Sequence, residues 1–402
     1  ALVTVGAAMG TAADPAAIMA ETQFSVPQGD FDLIRYPPTR DPNLRAWDAA
    51  DELLLSHLDE VMRERPIAKV LIVNDSFGAL TVAVSAATKT QEAAQVRFVS
   101  DSHVAWIATR QNLDRNAIDP IQDVHMGGAD AVLIKIPKTL ALLEAQLVQL
   151  RDSLQSTTVI VAAGMTRDIH SSTLELFEQI LGPTRTSLAK KKARLIFTEL
   201  DAALSPTAPE PSIVPLDSPK IELVNHAGVF SAKRLDSGTR LLLENLPATA
   251  DGPSVIDLGC GNGVLGVAVA LADSTAEVTF VDESHLAMRS AEDTFRRAFQ
   301  GREAGSYSKP TFRVGDCLDG LPGDSADLIV CNPPFHQGRV QGDDVAWKMF
   351  TGAKRVLAPG GELWVVGNRH LEYFDKLKRA FGNSQVMAST SKFLVIRAVV
   401  SA

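Results

Sequence analysis

The chain has 402 residues, 46% of them hydrophobic and 22% charged, an ordinary balance for a soluble globular protein and long enough that two domains are the default. Its net charge of −9 argues against broad, sequence-blind binding of nucleic acid, so any surface for such a partner must be a local concentration of cations. Three cysteines, Cys260, Cys317 and Cys331, have no C-x-x-C spacing; this argues against structural zinc and suits a reducing cytosol, and no apolar run is long enough to span a membrane.

Residues 1–29 are Ala-rich but lack a basic start and are interrupted by Asp14-Pro15, so they read as a poorly ordered extension and not as a signal peptide. From residue 30 to 200, apolar strand-like runs alternate with helix-like segments. The runs Val70–Val73, Val96–Val99 and Ala131–Ile134 are the clearest strands. Lys190, Lys191, Lys192 and Arg194 form the densest basic cluster and the candidate nucleic-acid contact. Residues 201–220 carry Pro206, Pro209, Pro211, Pro215 and Pro219; proline disfavours helix and central strand, which predicts a linker before a second domain at 221–402.

In that second part, Gly228-Val229-Phe230-Ser231 precedes the first strong strand and is a candidate lid. Val255–Leu258 then runs into the turn Gly259-Cys260-Gly261-Asn262-Gly263, and Val264–Ala272 continues as an apolar helix. Glycines let the backbone approach a ligand closely. Asp257, just before them, would repel a pyrophosphate but attract a sulfonium-bearing amino acid with a free ammonium, which favours S-adenosylmethionine over a dinucleotide. Asp282, followed by Glu283, ends the next strand about 20 positions on, where an acidic residue is placed for ribose hydroxyls. Asp316, followed by Cys317, ends another strand and could accept a hydrogen bond from an adenine amino group. Last comes Asp327–Cys331, an apolar strand ending in Asn332-Pro333-Pro334-Phe335. The Asn332 side-chain oxygen and the Pro333 carbonyl are two acceptors that can aim at one exocyclic amino group, and Phe335 offers a flat face for a base. That is the equipment for methylating a planar, weakly nucleophilic nitrogen.

The two parts repeat. Val70–Leu80 aligns with Val255–Leu265, Val96–His103 with Val278–His285, and Ala129–Pro137 with Ala326–Pro334, in the same order. The strands survive in the first copy but the ligand groups do not. Ile72 stands for Asp257, Asn74 and Ser76 for Gly259 and Gly261, Ser100 for Asp282, and Lys135 for Asn332. This predicts an α/β protein of two tandem Rossmann-like domains, each with a mostly parallel sheet covered on both faces, the first copy degenerate. Ligands on such sheets sit at the carboxyl ends of the strands, where the glycine loop, Asp282, Asp316 and Asn332 all fall.

Taken with Arg45–Glu52, Lys135–Glu144, Arg167–Phe177, Asn332–Gln337 and Asn368–Phe374, the sequence resembles the two-domain ribosomal RNA guanine-N2 methyltransferases from about Phe31 to its end, the first-half segments favouring the branch that acts on 23S RNA of the large subunit. The resemblance implies two class I methyltransferase domains, S-adenosylmethionine as cofactor, a guanine in 23S ribosomal RNA as substrate, Phe230 close to cofactor and base, and a site built from Asn332, Pro333, Pro334, Phe335 and the glycine-loop and acidic residues above. Asp236 is a further candidate, facing the cofactor's ammonium. A cytoplasmic monomer without metal is expected. The competing readings are a small-subunit (16S) RNA enzyme, an enzyme acting on adenine N6 or a protein glutamine, since all use Asn-Pro-Pro-aromatic, and a non-catalytic RNA-binding assembly factor.

Overall fold

The computed structural model describes residues 21–39, 41–89, 94–119, 128–249, 251–303, 305–334 and 340–401. The amino-terminal part opens with a hairpin, β1 (Gln23–Val26) and β2 (Gly29–Asp32), followed by α1 (Ala49–Glu64), β3 (Lys69–Val73), α2 (Ala79–Thr88), β4 (Gln95–Val99), α3 (His103–Arg115), β5 (Ala131–Lys135), α4 (Leu140–Arg151), β6 (Val159–Met165), α5 (Ser171–Ile180), β7 (Thr184–Thr186) and β8 (Ala193–Thr198). The carboxy-terminal part comprises β9 (Ser212–Asp217), β10 (Lys220–Asn225), α6 (Ser237–Leu243), β11 (Ser254–Leu258), α7 (Val264–Ala272), β12 (Glu277–Asp282), α8 (His285–Ala298), β13 (Thr311–Val314), β14 (Ala326–Cys331), α9 (Val340–Val356), β15 (Leu357–Asn368), α10 (Tyr373–Phe381), β16 (Gln385–Ser389) and β17 (Phe393–Val399).

The two main sheets run β4-β3-β5-β6-β8-β7 and β13-β12-β11-β14-β15-β17-β16. In each, the central strands are parallel and the last pairings antiparallel, β6 with β8 and β15 with β17. Strand for strand, β3, β4, β5, β6, β8 and β7 correspond to β11, β12, β14, β15, β17 and β16, the duplication expected from the sequence. Side chains alternate across each sheet. Val70 and Ile72 pack towards α1 and α2, while Leu71 and Val73 pack towards α4 and α5. The sheets are thus buried on both faces, which explains their near-continuous apolar strands.

One turn shows how closely the copies match. Gly78 and Gly263 both cap the following helix in the left-handed conformation, with φ of 85° and 77°. A Cβ on Gly78 would lie 2.7 Å from the Thr109 backbone, and one on Gly263 3.0 Å from the Ala291 backbone. The helix on the adjoining strand crosses at that point in both copies, so both keep glycine.

Two expected boundaries change. Residues 1–20 lie outside the described residues, but the extension placed at 1–29 does not reach 29. Phe24 and Phe31 are buried on the first core, with Phe24 4.9 Å from the Trp47 ring. Nor is 201–220 wholly a linker, because Ser212–Asp217 pairs with Lys220–Asn225. Pro215 is tolerated there because a two-stranded ribbon has free edges for a residue with no N–H. The ribbon lies on α8, where Thr294 Oγ1 accepts the Val224 N–H at 3.0 Å.

The two copies meet through the carboxyl ends of β4 and β12 in a pseudo-twofold arrangement. The N–H of His103 donates to the Glu283 carbonyl at 2.8 Å, and that of His285 to the Asp101 carbonyl at 3.0 Å. Ser102 Oγ donates to the Glu283 carboxylate and Ser284 Oγ to the Asp101 carboxylate, each at 2.6 Å. These are equivalent residues of the repeat, so each copy gives the other the same set of groups.

Candidate functional site

β11 delivers the chain into the glycine turn. The Gly261 N–H donates to Asp282 Oδ2 at 2.9 Å, and the Ser284 N–H donates to Oδ1 at 3.0 Å. This fixes the end of β12 against the loop. Gly261 has φ +55°, and a Cβ there would meet no atom within 4 Å. The loop therefore faces open space on the side where a ligand can approach its backbone. Asp257 lies beneath it, 1% exposed, accepting the Gly266 N–H at 2.8 Å. Burial, with the nearby Asp282 charge, pushes Asp257 up to about 8 despite that hydrogen bond. Burial likewise holds Asp282 above the usual carboxylate range, although the Ser284 and Gly261 amides oppose it. A positively charged ligand arriving beside these two carboxyl groups would favour their ionised forms.

The sign of the pH dependence follows. Folded Asp257 keeps its proton to about pH 8, whereas an unfolded Asp releases it near the ordinary carboxyl value of 3.8. The folded state binds more protons in that interval, so this group's contribution to stability falls as pH rises through it and is lost above about 8, at a limiting slope of about 1.4 kcal/mol per pH unit. Thermal melts of ligand-free protein between pH 5 and 9 are expected to decline more steeply for the natural chain than for Asp257→Asn, whose amide oxygen still accepts the Gly266 N–H. Parallel curves would show that Asp257 is ionised throughout.

Asn332, at the carboxyl end of β14, donates from Nδ2 to Thr239 Oγ1 at 2.7 Å. Its Oδ1 is buried and has no hydrogen-bond partner. Such an acceptor costs about 1–3 kcal/mol when left unmade, so it marks a place where a donor is expected to arrive. Pro333 is buried beside it and Pro334 is exposed; Phe335 lies outside the described residues. Phe230 is 61% exposed, a large aromatic left in water. Its loop packs against the amino-terminal copy, since a Cβ on Gly228 would meet Leu142 Cβ at 3.3 Å.

Several of the candidate residues also make bonds within the chain. Asp236 is the N-cap of α6, its Oδ2 accepting the Gly238 and Thr239 N–H groups at 2.8 and 3.0 Å, so this oxygen is spent on the helix and not left for a ligand's ammonium. Glu283 carries the contact between the copies. Asn262 is buried and donates to Asn225 Oδ1 at 2.9 Å, tying the glycine turn to the end of β10. Cys260 is buried, and desolvation pushes its thiol up, as it does for Cys317. Neither is an activated nucleophile.

Asp316 is 6% exposed, and its Oδ2 already takes two donors, Tyr36 OH at 2.7 Å and Lys348 Nζ at 2.6 Å. Burial opposes its ionisation, yet the Lys348 and Tyr36 hydrogen bonds hold its carboxyl below the usual range. Tyr36 belongs to the amino-terminal copy, which therefore supplies a group to the end of β13. Thr239, Tyr36, Lys348 and Asn225 were not singled out from the sequence, because each is defined by a partner 30 or more positions away.

Lys190, Lys191, Lys192 and Arg194 are exposed around the β7–β8 turn. Met165 pairs with Ala193, so this turn sits at the carboxyl ends of the parallel strands, on the edge opposite the contact between copies. Lys191 is partly neutralised by Glu52, 2.6 Å away. Among the described residues, no helix is long and apolar enough to cross a membrane, and no group of three or more His, Cys, Asp or Glu could hold a metal ion.

Comparison with known proteins agrees with this architecture. The family model described as RLMG N-terminal domain matches residues 21–202, and that of the methyltransferase small domain matches 220–397. Among solved structures, the T. thermophilus 16S rRNA N2 G1207 methyltransferase (RsmC), in complex with AdoMet and guanosine, superposes with a TM-score of 0.70 at 21% identity, covering 96% of this chain and 99% of that one, which shows a shared fold. Ribosomal RNA large subunit methyltransferase G of Streptomyces coelicolor is 49% identical over 94% of this chain and 100% of its own. Its namesake from Aeromonas hydrophila is 47% identical over 91% of this chain and 96% of its own. With that identity along nearly the whole of both copies, the chain belongs to the ribosomal RNA large subunit methyltransferase G family.

Proposed function

We propose that the chain transfers a methyl group from S-adenosylmethionine to the N2 amino group of a guanine in 23S ribosomal RNA, acting as a cytoplasmic monomer. The observation that carries this reading is the buried, partnerless Asn332 Oδ1 at the end of the strand beside the glycine loop. The names of the relatives support a large-subunit RNA substrate, and that of the T. thermophilus enzyme supports guanine N2 and AdoMet.

The residues present fit the cofactor. The open face of Gly261 gives a cradle that any side chain would fill, and the charge of a sulfonium and an ammonium arriving there would draw the neighbouring Asp282 and Asp257 into their ionised forms. Asp282 would receive the ribose hydroxyls and Asp316 the adenine amine, with Gly259, Gly261 and Gly263 shaping the loop. When bound, S-adenosylmethionine supplies an electrophilic methyl group.

The chain's own part is orientation. Guanine N2 shares its lone pair with the ring and is a poor nucleophile. Asn332 Oδ1 and the Pro333 carbonyl accept its two N–H bonds, which turns the nitrogen towards tetrahedral geometry and aims its lone pair at the methyl. Holding reactants this way recovers several kcal/mol of the barrier, about 7 at the favourable end. The N2 proton becomes acidic only as the new bond forms, so water can take it. Stacking on Phe335 contributes about 1–3 kcal/mol. The base must leave its own stack to enter. Lys190, Lys192 and Arg194 form the RNA-facing cations, and the amino-terminal copy (residues 30–200) serves recognition and support, not chemistry.

The test is direct. The protein is mixed with labelled S-adenosylmethionine and separated 23S and 16S RNA, and the RNA is digested to nucleosides. Label in N2-methylguanosine from 23S RNA alone is expected. Label from 16S RNA, in N6-methyladenosine or in protein, would replace the substrate assignment.

A further inference from the structure

We propose that Thr239 is a positioning residue for the transfer, setting the orientation of the Asn332 amide so that its oxygen, and not its nitrogen, faces the incoming amine. This rests on the reading above and adds to it a second residue and a reason for its chemistry.

An amide can be turned over with little change in shape, and turned over Asn332 would present two donors to a substrate group that is itself a donor. Thr239 biases the amide against this. Its hydroxyl carries one proton, for which the carboxylate of Asp236 is an acceptor within long reach, Oδ2 lying 3.5 Å away. Asp236 is an acceptor only, already collecting the Gly238 and Thr239 backbone N–H groups on the same oxygen. With its proton directed there, Thr239 Oγ1 offers lone pairs to its other neighbour. Asn332 must then meet it with Nδ2, as it does at 2.7 Å, which leaves Oδ1 turned away and unpaired.

The degenerate copy carries the same coupling with other chemistry, which is an independent observation. α1 packs against β6 and β8 as α6 packs against β15 and β17, and each helix is N-capped by an aspartate, Asp48 and Asp236. Three residues after the cap stand Asp51 and Thr239. The strand-end residues that face them are Lys135 and Asn332, equivalent in the repeat. Lys135 Nζ donates to Asp51 at 2.8 Å and to Asp48 at 2.6 Å. In both copies this helix position fixes the strand-end side chain. Where that side chain is an ammonium, the helix presents a carboxylate. Where it is an amide whose oxygen must stay available, the helix presents a hydroxyl made to accept.

The experiment compares Thr239→Val, which keeps shape and loses the acceptor, with Thr239→Ser, which keeps the acceptor. Single-turnover methyl transfer is measured with cofactor affinity by calorimetry and thermal midpoint. Thr239→Val is expected to lower the transfer rate about 10–100-fold, the loss that comes from a misdirected reacting group. Cofactor affinity, RNA affinity and midpoint stay close to the natural chain's, and Thr239→Ser recovers most of the rate. Transfer by Thr239→Val at the natural rate overturns the proposal. So does a Thr239→Ser variant as slow as Thr239→Val, or a rate loss that tracks lost cofactor affinity or stability. The natural chain is assayed alongside, and the nucleoside it modifies is identified. Should that be another amino-bearing base, the guanine assignment fails while the comparison of the two variants still decides the role of Thr239.

Discussion

Asn332→Ala is expected to slow methyl transfer by about 10²–10³-fold, the loss typical of removing one preorganised polar group from a reacting centre. Calorimetry is expected to give nearly unchanged cofactor affinity, because the cofactor's own candidate partners, Asp257, Asp282 and the glycine turn, do not hydrogen-bond through Asn332. Stability supplies the second readout. Most buried polar groups stabilise a fold through their bonds, and deleting them is costly. Asn332 Oδ1 makes none, so the variant loses only the Nδ2 bond to Thr239 and is relieved of an unsatisfied oxygen. Its thermal midpoint should match or exceed that of the natural chain, as happens where a site holds groups ready for a ligand at the expense of the fold. A variant that melts early and loses rate in proportion would make Asn332 a structural residue. One that still transfers methyl groups at full rate would remove it from the mechanism.

The sheets were legible because their signal is local. Three aligned apolar runs placed β3, β4 and β5 opposite β11, β12 and β14, and the one shared glycine, Gly78 with Gly263, set their register. The glycine loop, Asp282 and Asn332 fall at the carboxyl ends of adjacent strands, where the pattern put them. What stayed hidden depends on partners far along the chain. Tyr36 reaches Asp316 across 280 positions, and Ser102 reaches Glu283 across 181. Asp236 reads as a ligand group because a carboxylate beside a site invites it, and the structure adds that its Oδ2 caps a helix. Its position two residues before Gly238, at a helix start, was the cue that it serves as a cap. The hairpin β1–β2 was lost for another reason. Its two four-residue strands are too short for alternation to show, and only packing against Trp47 reveals Phe24 as core.

The second large effect is expected in the amino-terminal copy. Lys135, 9% exposed, replaces the motif asparagine and pairs with Asp48 and Asp51. Asp51 is 5% exposed, and burial pushes it up to about 7, with Lys135 opposing the shift and the Asp48 and Asp75 charges adding to it. The ligand groups of this copy have thus been exchanged for a buried internal ion pair. Breaking such a pair from one side is costly, about 3–5 kcal/mol, because the remaining charge has no counterpart. Lys135→Met should therefore unfold at much lower denaturant than the natural chain. The surviving folded protein should bind the cofactor with unchanged affinity, since Lys135, Asp48 and Asp51 bond one another and none of the cofactor's candidate residues. Adding Asp51→Leu to Lys135→Met should return most of the loss, because the pair is then replaced by apolar contact and Asp48, with its side chain 47% exposed, can meet water. A single Lys135→Met variant as stable as the natural chain would mean that water reaches Asp51. A double variant no better than the single would mean that Lys135 holds the copy together through something other than its charge.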